Sequence, residues 1–340
     1  MIATNEADIS IIVPSYNRAS FITQCLDSIL AQKCSYSYCV IIADDCSSDG
    51  SLEIIKAYMK AHSNIYLLPS KTNQKLYKNI LRAYEMIKSN YFCVLDPDDY
   101  WLSTDKLQKA LDFLEQHRSY SIYTGNTQIL KQDGALALYI KGEARSCSFS
   151  DFLAQRAFMG HTSSAVYRNV VFKNGVPKKM RTLESESCEV SYRGDSFRNL
   201  LALHEGESYF SAEVDSVYRI TSNGIFQSLS TQRQRLLNAM FYKDMYLYFE
   251  ARYVELLYFA YRNYRLLTSV PLHEVLENEH IDMAYLEELR KLGKFFISSP
   301  PPPAKNALIA MRSKNTKLKY KMLQAMDRYI QHFLAKKGAC

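Results

Sequence analysis

The sequence predicts an α/β fold, a mostly parallel sheet flanked by helices, followed by an α-helical C-terminal extension. Three observations carry this expectation. Short apolar runs alternate with amphipathic helical segments over residues 9–124, the pitch of a doubly wound sheet. Three of those runs stop abruptly in polar clusters, and in such sheets ligands bind outside the carboxyl ends of the strands. After about residue 228 the strand texture gives way to long stretches rich in Tyr, Leu and Phe.

Taken in order, Ile9 to Val13 is an apolar run stopped by Pro14 and reads as a buried strand. Ala19 to Gln32 puts Phe21, Ile22, Cys25, Leu26, Ile29 and Leu30 on one helical face. Cys39 to Ala43 is a second strand ending in Asp44-Asp45, and Ser48, Asp49 and Ser51 offer caps for a helix running to about His62. Asn64 to Leu68 is a short third strand, and Lys75 to Ser89 a helix with Leu76, Ile80, Leu81, Tyr84 and Ile87 apolar. Tyr91 to Leu95 is a fourth strand, ending in Asp96-Pro97-Asp98-Asp99. Asp105 to Gln116 then reads as helix and Ser121 to Thr124 as strand. Arg233 to Leu267 and His273 to Gly293 read as two long amphipathic helices, Ser298 to Pro303 as a stiff linker, and Lys305 to Lys337 as one or two basic helices. The expected division is therefore 1–228, 229–297 and 298–340.

Composition narrows the function. With 47% hydrophobic, 13% aromatic and 23% charged residues among 340, the chain can bury a sizeable core, which argues against wholesale disorder. No run of about 18 apolar residues is present to cross a membrane. Residues 1–10 carry Glu6 and Asp8 and no basic cluster before an apolar stretch, so no secretory signal is expected. The eight cysteines form no CxxC pair, which favours reduced thiols in a cytoplasmic chain over a disulfide scaffold.

The net charge of +7 is uneven: residues 301–340 hold nine Lys and Arg against Asp327 alone, leaving the preceding body at −1. A nucleic-acid partner would call for a basic face on that body, so none is expected. Leu318, Met322, Leu323, Met326, Tyr329, Ile330 and Phe333 recur at near-helical spacing among the tail's lysines. Such a helix can lie on an anionic membrane surface; packing on its own domain or on a second protomer is the equal alternative. The helical C-terminal third likewise offers a homodimer surface.

Neither GxGxxG nor GxxxxGK[ST] follows the first strand, which disfavours a hydride-transfer enzyme or P-loop kinase. Chemistry is expected instead at Pro14-Ser15-Tyr16-Asn17-Arg18, Asp44-Asp45-Cys46-Ser47 and Asp96-Pro97-Asp98-Asp99. Carboxylates this crowded repel one another unless a cation or hydrogen-bond donors compensate, and Mg²⁺ or Mn²⁺ takes oxygen ligands while keeping room for phosphates. Taken alone, Asp-Pro-Asp-Asp is equally good turn chemistry, and Asp44-Asp45 equally a capping loop. Two acidic clusters at neighbouring strand ends favour a diphosphate-and-metal site.

In register, Val13-Pro14-Ser15-Tyr16-Asn17-Arg18, Asp44-Asp45-Cys46-Ser47-Ser48-Asp49-Gly50-Ser51 and Leu95-Asp96-Pro97-Asp98-Asp99-Tyr100-Trp101 resemble the ordered signature of glycosyltransferase family 2. The likeness weakens after residue 130 and resumes at His161–Arg168, Tyr192-Arg193-Gly194-Asp195 and Tyr218-Arg219-Ile220, covering residues 8–225. The resemblance implies a GT-A nucleotide-sugar-binding and catalytic domain with an inverting mechanism. It implies that Pro14, Tyr16 and Arg18 line the base and phosphate side of a nucleotide-sugar, with a UDP-sugar the leading donor. Asp45 would accept from the base, with Asp44 its alternative; Asp98 would sit near the ribose, and Asp99 on the metal, Mn²⁺ or Mg²⁺, that bridges the phosphates.

Lys78-Asn79 resembles the family's basic-Asn pair, though Gln74, Lys75 and Leu76 stand where a glycine is common after Asn73; a solvated helix position explains Lys78 as well. Gly194-Asp195 before Phe197, Leu200, Leu201 and Leu203 matches the late acidic motif, which makes Asp195 the general base, with Glu184, Glu186 and Glu189 as rivals and a helix N-cap as its bland role. His161 and Trp101, the latter with its neighbour Tyr100, are lesser candidates for acceptor, diphosphate or sugar contact, each with a structural alternative, and Tyr218-Arg219 resembles the family's closing strand, where Arg219 could reach phosphate. The implied acceptor is a glycan or lipid-linked sugar in bacterial surface polysaccharide or lipooligosaccharide synthesis, reached from the cytoplasmic membrane face. A nucleotidyltransferase on the same fold is the alternative, disfavoured because Ser15 to Ser20 lacks glycines. A non-catalytic glycan- or membrane-binding protein is the other.

Overall fold

Ile9–Ser15 (β1) is buried along its whole length, as expected of a central parallel strand covered on both faces, whose sequence reads as one apolar run. The computed structural model describes residues 7–182, 194–221, 229–268 and 283–299. After β1 the chain forms Ala19–Leu30 (α1), Tyr38–Asp44 (β2), Ser51–Ala61 (α2), Ile65–Pro69 (β3), Lys75–Glu85 (α3) and Tyr91–Val94 (β4). Tyr100–Trp101 (β5), Lys106–Gln116 (α4), Tyr120–Leu130 (β6), Leu136–Leu138 (β7), Arg145–Cys147 (β8) and Phe149–Leu153 (α5) follow. Ala165–Arg168 (β9), Lys178–Thr182 (α6), Gly194–Glu205 (α7) and Glu207–Arg219 (β10) complete the sheet region, and Thr231–Tyr248 (α8), Val254–Thr268 (α9) and Met283–Ser298 (α10) come after it.

The strand order is β3-β2-β1-β4-β9-β6-β10-β5, with β7 on β6 and β8 on β10. From β1 the chain moves outward through β2 and β3 and then returns to β4 on the other side of β1, all four strands parallel. That reversal opens a crevice at the carboxyl ends of β1 and β4, which is where Tyr16–Arg18 and Asp96–Asp99 lie. β9 enters antiparallel to both β4 and β6, while β6 and β10 pair in parallel.

One face of the sheet packs Ile9, Ile11, Val13, Val40, Ile42 and Cys93 against Ile22, Cys25, Leu26 and Ile29 of α1 and Leu107, Ala110, Leu111 and Leu114 of α4. Burying a side chain of that size contributes roughly 1.5–3 kcal/mol. On the other face Tyr84 of α3 stacks on Phe172 at 4.2 Å and meets Phe92 of β4 edge-on.

The chain divides into two compact units, one taking in Met1–Thr182 and Gly194–Gly224, the other Leu183–Arg193 and Ile225–Cys340. In the second unit α8, α9 and α10 pack together, burying Leu236, Met240, Leu257, Phe259, Leu289 and Phe296. A Cβ on Gly293 of α10 would lie 2.9 Å from the Tyr264 hydroxyl of α9, so a side chain here would push that hydroxyl aside.

Several expected elements differ. The helix expected over 75–89 ends at Glu85, where the Met86 and Ile87 amides bond to Ala83 and Tyr84 and tighten the last turn. The strand expected over 121–124 runs from Tyr120 to Leu130 because β9, β10 and β7 all extend its pairing. Arg233 to Leu267 is not one helix: Glu250 and Ala251 adopt φ of +55° and +60°, and the reversal lets the apolar stripes of α8 and α9 bury each other. The last described helix starts at Met283 and runs on to Ser298; the start expected at His273, the proline linker beyond Ser299 and the basic helix over 305–337 lie outside the described residues. None of the described helices is long and apolar enough to cross a membrane.

Candidate active site

The first two strand-end loops are laced together by backbone donors and short side chains. Asn17 turns the chain with φ of +51°, a conformation its short polar side chain tolerates. Its amide donates to Ser47 Oγ at 2.9 Å and its Oδ1 accepts from Ser48 N at 2.8 Å. Arg18 N donates to Ser51 Oγ at 2.8 Å and Ala19 N to Asp49 Oδ2 at 2.9 Å. Pro14 is buried in β1 opposite Ala43, while the Tyr16 ring is 43% exposed at the crevice.

The acidic pair at the end of β2 is spent on local bonds. Asp44 accepts from Ser47 N at 3.0 Å and Ser47 Oγ at 2.5 Å. Asp45 accepts from Gln74 N at 2.7 Å; burial pushes its pKa up, opposed by the amides of Gln74 and Lys75. Of the pair on α3, Lys78 is exposed, and buried Asn79 donates Nδ2 to Ala43 O at 2.7 Å, so Asn79 braces β2 from beneath.

The Asp96–Asp99 loop is different. Asp99 is buried; its Oδ1 accepts from Arg219 N at 2.9 Å, but its Oδ2 has no hydrogen-bond partner. Burial, then Asp96, pushes its pKa well up. Asp96 is pushed up to about 7 by burial and then by Asp98. Asp98 meets the Arg18 guanidinium, Nε to Oδ2, at 3.5 Å. Among the described residues no group of three or more His, Cys, Asp and Glu side chains could hold a metal ion. A hard cation that shares one or two carboxylates with substrate phosphates needs no such cage, and the orphaned Oδ2 of Asp99 fits that demand.

Against Asp99 lies His161, its Nδ1 3.8 Å from Oδ2. Ser163 N donates to that Nδ1 at 3.3 Å, which leaves Nε2 to carry the proton, and burial lowers the imidazole to about 4, so the ring is neutral. It stacks on Tyr218 at 4.2 Å and meets Tyr139 edge-on at 5.1 Å. Tyr218 is pushed up to about 12 by burial and then by Asp99 and Asp98.

Two of the lesser candidates have protein partners. Trp101 is 4% exposed, within the core, and donates Nε1 to Ser163 O at 2.8 Å; strand alternation turns it inward, the core place weighed for it beside stacking. Arg219 lies against the acidic loop. Its Nε donates to Asp98 O at 3.0 Å and its Nη2 to Gln24 Oε1 at 2.7 Å, with Phe21 and Tyr100 under the guanidinium.

Asp195 stands exposed in the first turn of α7, its Oδ1 accepting from Ser196 N at 2.7 Å. Its charge is felt at Asp96, His161 and Tyr139, which puts it on the same side of the site. Glu184, Glu186, Glu189, Tyr192 and Arg193 lie outside the described residues. Sequence reasoning misses two buried cations. Lys106 pairs with Asp215 at 2.9 Å and donates to Ser164 O at 2.5 Å. Arg198 sits one turn after Asp195, its Nη1 donating to Tyr84 OH at 2.6 Å. The one signal for Arg198 is a charge set among Phe197, Leu200 and Leu201 on an apolar face.

Set beside known proteins, residues 10–175 match the family described as Glycosyl transferase family 2. An uncharacterized protein of Mycobacterium tuberculosis is 26% identical over 228 residues, covering 66% of this chain and 62% of its own length. TuaG of Bacillus subtilis, whose name assigns it to teichuronic acid biosynthesis, is 33% identical over 126 residues, 37% of this chain and 49% of its own. The chain thus spans less than two thirds of the length of these relatives. Among solved structures, TarS residues 1–349 of S. aureus in complex with UDP-GlcNAc aligns with a TM-score of 0.64 at 17% identity, over 97% of this chain and 92% of that one. A mannosyltransferase from Pyrobaculum calidifontis in complex with GDP-Man and Mn²⁺ aligns with a TM-score of 0.50 at 15% identity, over 97% and 86%. These likenesses show the fold, the α/β GT-A arrangement with a helical C-terminal region that the sequence predicts.

Proposed function

We propose that this chain, which belongs to glycosyl transferase family 2 through residues 10–175, transfers a sugar with inversion from a nucleotide-sugar to a glycan or lipid-linked acceptor. The setting proposed is bacterial surface polysaccharide synthesis on the cytoplasmic membrane face, with a UDP-sugar as donor. The observation that carries the reading is the acidic loop after β4, where a buried carboxylate oxygen of Asp99 lacks any partner while its neighbours crowd it. That arrangement is costly for a folded protein unless the working state brings a compensating cation. The name of TuaG and the nucleotide-sugars bound in the fold neighbours point the same way.

In this reading Tyr16 and Arg18 flank the base and phosphates, Asp45 accepts from the base, and Asp98 reaches the ribose beside its Arg18 partner. Lys78, on the exposed side of α3, supplies a point charge to the donor. Bound Mn²⁺ or Mg²⁺ on Asp99 would supply Lewis-acid charge to offset the departing diphosphate. Asp195 takes the proton of the acceptor hydroxyl as its oxygen attacks the anomeric carbon. The bond from that carbon to the phosphate oxygen breaks with its electron pair leaving on the nucleoside diphosphate. Neutral His161, with Tyr218 and Tyr139 about it, excludes water beside Asp99. The division into a donor-binding catalytic domain over 1–228, a helical extension over 229–297 and a linker with a basic tail over 298–340 belongs to the same proposal.

The test is nucleotide release from a panel of UDP-sugars and GDP-mannose, with Mn²⁺ and with chelator. Metal-dependent release from one donor, abolished in Asp99→Ala and in Asp195→Asn, is the expected result. Undiminished turnover in both variants overturns the site assignment.

A further inference from the structure

The side chain of Lys106 on α4 is wholly shielded from solvent, although Leu107, Ala110 and Leu111 already give that helix an apolar face. Lysine is almost never fully buried unless it is paired. A buried ion pair is seldom worth more to the fold than apolar side chains of the same volume, so the use of this one lies in what it joins. Its Nζ has acceptors on two segments, Asp215 Oδ2 of β10 at 2.9 Å and Ser164 O, in the turn Thr162–Ser164, at 2.5 Å. It also lies 5.6 Å from the centre of the Trp101 ring of β5. The same three segments are tied to one another around it. Leu102 N donates to Asp215 O at 2.9 Å, Trp101 Nε1 to Ser163 O at 2.8 Å and Ser163 Oγ to Ser216 Oγ at 3.3 Å. The fit is close, since a Cβ on Gly125 of β6 would fall 2.2 Å from Asp215 Oδ2.

Each of these segments leads to Asp99. β5 begins at the residue after it. Four residues beyond Asp215, Arg219 N donates to Asp99 Oδ1 at 2.9 Å. Just before the turn, His161 brings Nδ1 to 3.8 Å from Asp99 Oδ2, and Tyr218 of β10 stacks on that ring at 4.2 Å. The neighbours of both carboxylate oxygens thus ride on backbone that one buried ammonium holds together.

We propose that Lys106, paired with Asp215, is a positioning residue for the acidic loop: by joining β10 to the 162–164 turn beneath Trp101, it sets the places of Asp99, the Arg219 amide and the His161 ring without touching either substrate. This rests on the reading of Asp99 as the carboxylate that holds the cation. Asp99, His161 and Arg219 come from distant stretches of chain, and a site assembled in that way keeps its geometry only when the supporting shell is itself fixed.

The test uses the full chain and its one tryptophan. Trp101 stands two residues after Asp99, at most about 7 Å along the backbone, so its indole N–H resonance reports both on the tie and on Mn²⁺ beside Asp99. Lys106→Met combined with Asp215→Asn removes the ammonium without leaving a buried charge unpaired. Lys106→Gln with Asp215→Asn, whose amide is one bond shorter than the lysine, serves if that chain does not fold. Asp215→Asn alone removes the negative charge and keeps an oxygen for Nζ. The indole resonance is followed as Mn²⁺ is added in the presence of UDP, below the melting temperature of each chain. Loss of the ammonium should shift the metal-free resonance and raise the Mn²⁺ concentration that broadens it by about tenfold or more, the scale of losing an outer-shell support. Asp215→Asn should stay within about threefold of the native chain. A lowered melting temperature with an unmoved Mn²⁺ midpoint overturns the inference, because a purely structural pair would behave in that way. An equal loss in Asp215→Asn overturns it too, since that chain keeps the ammonium and both its acceptors. If Mn²⁺ with UDP leaves the native indole untouched, the cation reading of Asp99 fails and the inference falls with it; a response shared equally by the native and ammonium-free chains sinks the inference alone.

Discussion

Two acidic segments stand at the ends of β2 and β4, the strands on either side of β1, and they solve the same problem in opposite ways. Asp44 ends β2 and Asp45 follows it, and their oxygens take bonds from Ser47 and from the Gln74 amide. Asp96, Asp98 and Asp99 follow β4, and there burial and mutual repulsion drive Asp96 to about 7 and Asp99 well up, leaving Asp99 Oδ2 with nothing to bond. Carboxylate content alone does not mark a cation site. What marks it is charge that the protein has not answered itself.

The widest gap between the loops should appear on removing one carboxylate from each. Asp99→Ala is expected to cut metal-dependent nucleotide release by about 100-fold or more, the scale of losing a main electrostatic element of a transition state, with a metal-free melting temperature no lower than that of the native chain. Asp44→Ala should do the reverse, costing roughly 1–3 kcal/mol of stability because Ser47 N and Oγ lose their shared acceptor. Nucleotide release and urea unfolding on both variants check the pair. If Asp99→Ala unfolds the chain and Asp44→Ala leaves unfolding unchanged, the contrast is inverted.

A milder test is the pH dependence of stability. Asp96 is raised in the folded state from 3.8 to about 7, so between those values the fold holds a proton that the unfolded chain has released. Its contribution is therefore fully present below about pH 4 and lost as pH rises through about 7. His161, lowered from 6.5 to about 4, acts in the other sense, adding stability as pH rises between those values. The difference between the native chain and Asp96→Asn isolates the aspartate: the native chain should lose melting temperature relative to the variant from pH 4 to pH 7.5. Adding Mn²⁺ at pH 7.5 should recover part of that loss if the cation answers the loop's charge.

The sheet's first half was legible because its strands are parallel and covered on both faces, so Ile9–Val13, Cys39–Ala43 and Tyr91–Leu95 read as unbroken apolar runs ending in polar clusters. The insertion of β9 between β4 and β6 was not, since nothing local in Ala165–Arg168 names its partners. Asp98 and Asp99 stood out as a crowded acidic cluster, but the place of Trp101 beside them stayed open between stacking and core, because adjacency in sequence says nothing about which face of a two-residue strand a ring takes. Tyr100 lies half-buried and Trp101 points into the core. Pairings across long separations stayed hidden. Lys106 and Asp215 meet across 109 positions, and Gly125 is required there because a Cβ would fall 2.2 Å from Asp215 Oδ2. The helical region misread as one rod carries no glycine or proline at its bend; Glu250 and Ala251 take left-handed backbone there because burial of two apolar stripes outweighs the local preference.

The smallest expected effect falls on Asp45, the residue that belongs to both sides of the comparison. Its Oδ1 is occupied by the Gln74 amide, as in a structural loop, yet the proposed function casts it as an acceptor for the donor's base. Asp45→Asn keeps an oxygen for Gln74 N and removes only the charge, so the melting temperature should stay within a degree or two, as expected for a change well under 1 kcal/mol. A contact made equally in ground state and transition state appears in KM and not in kcat. Donor KM should therefore rise by about tenfold, the weight of one hydrogen bond to a charged group, while kcat holds. If Asp45→Asn instead lowers kcat and leaves KM alone, the loop after β2 takes part in the chemistry, and the distinction between an answered and an unanswered set of carboxylates no longer separates binding from catalysis.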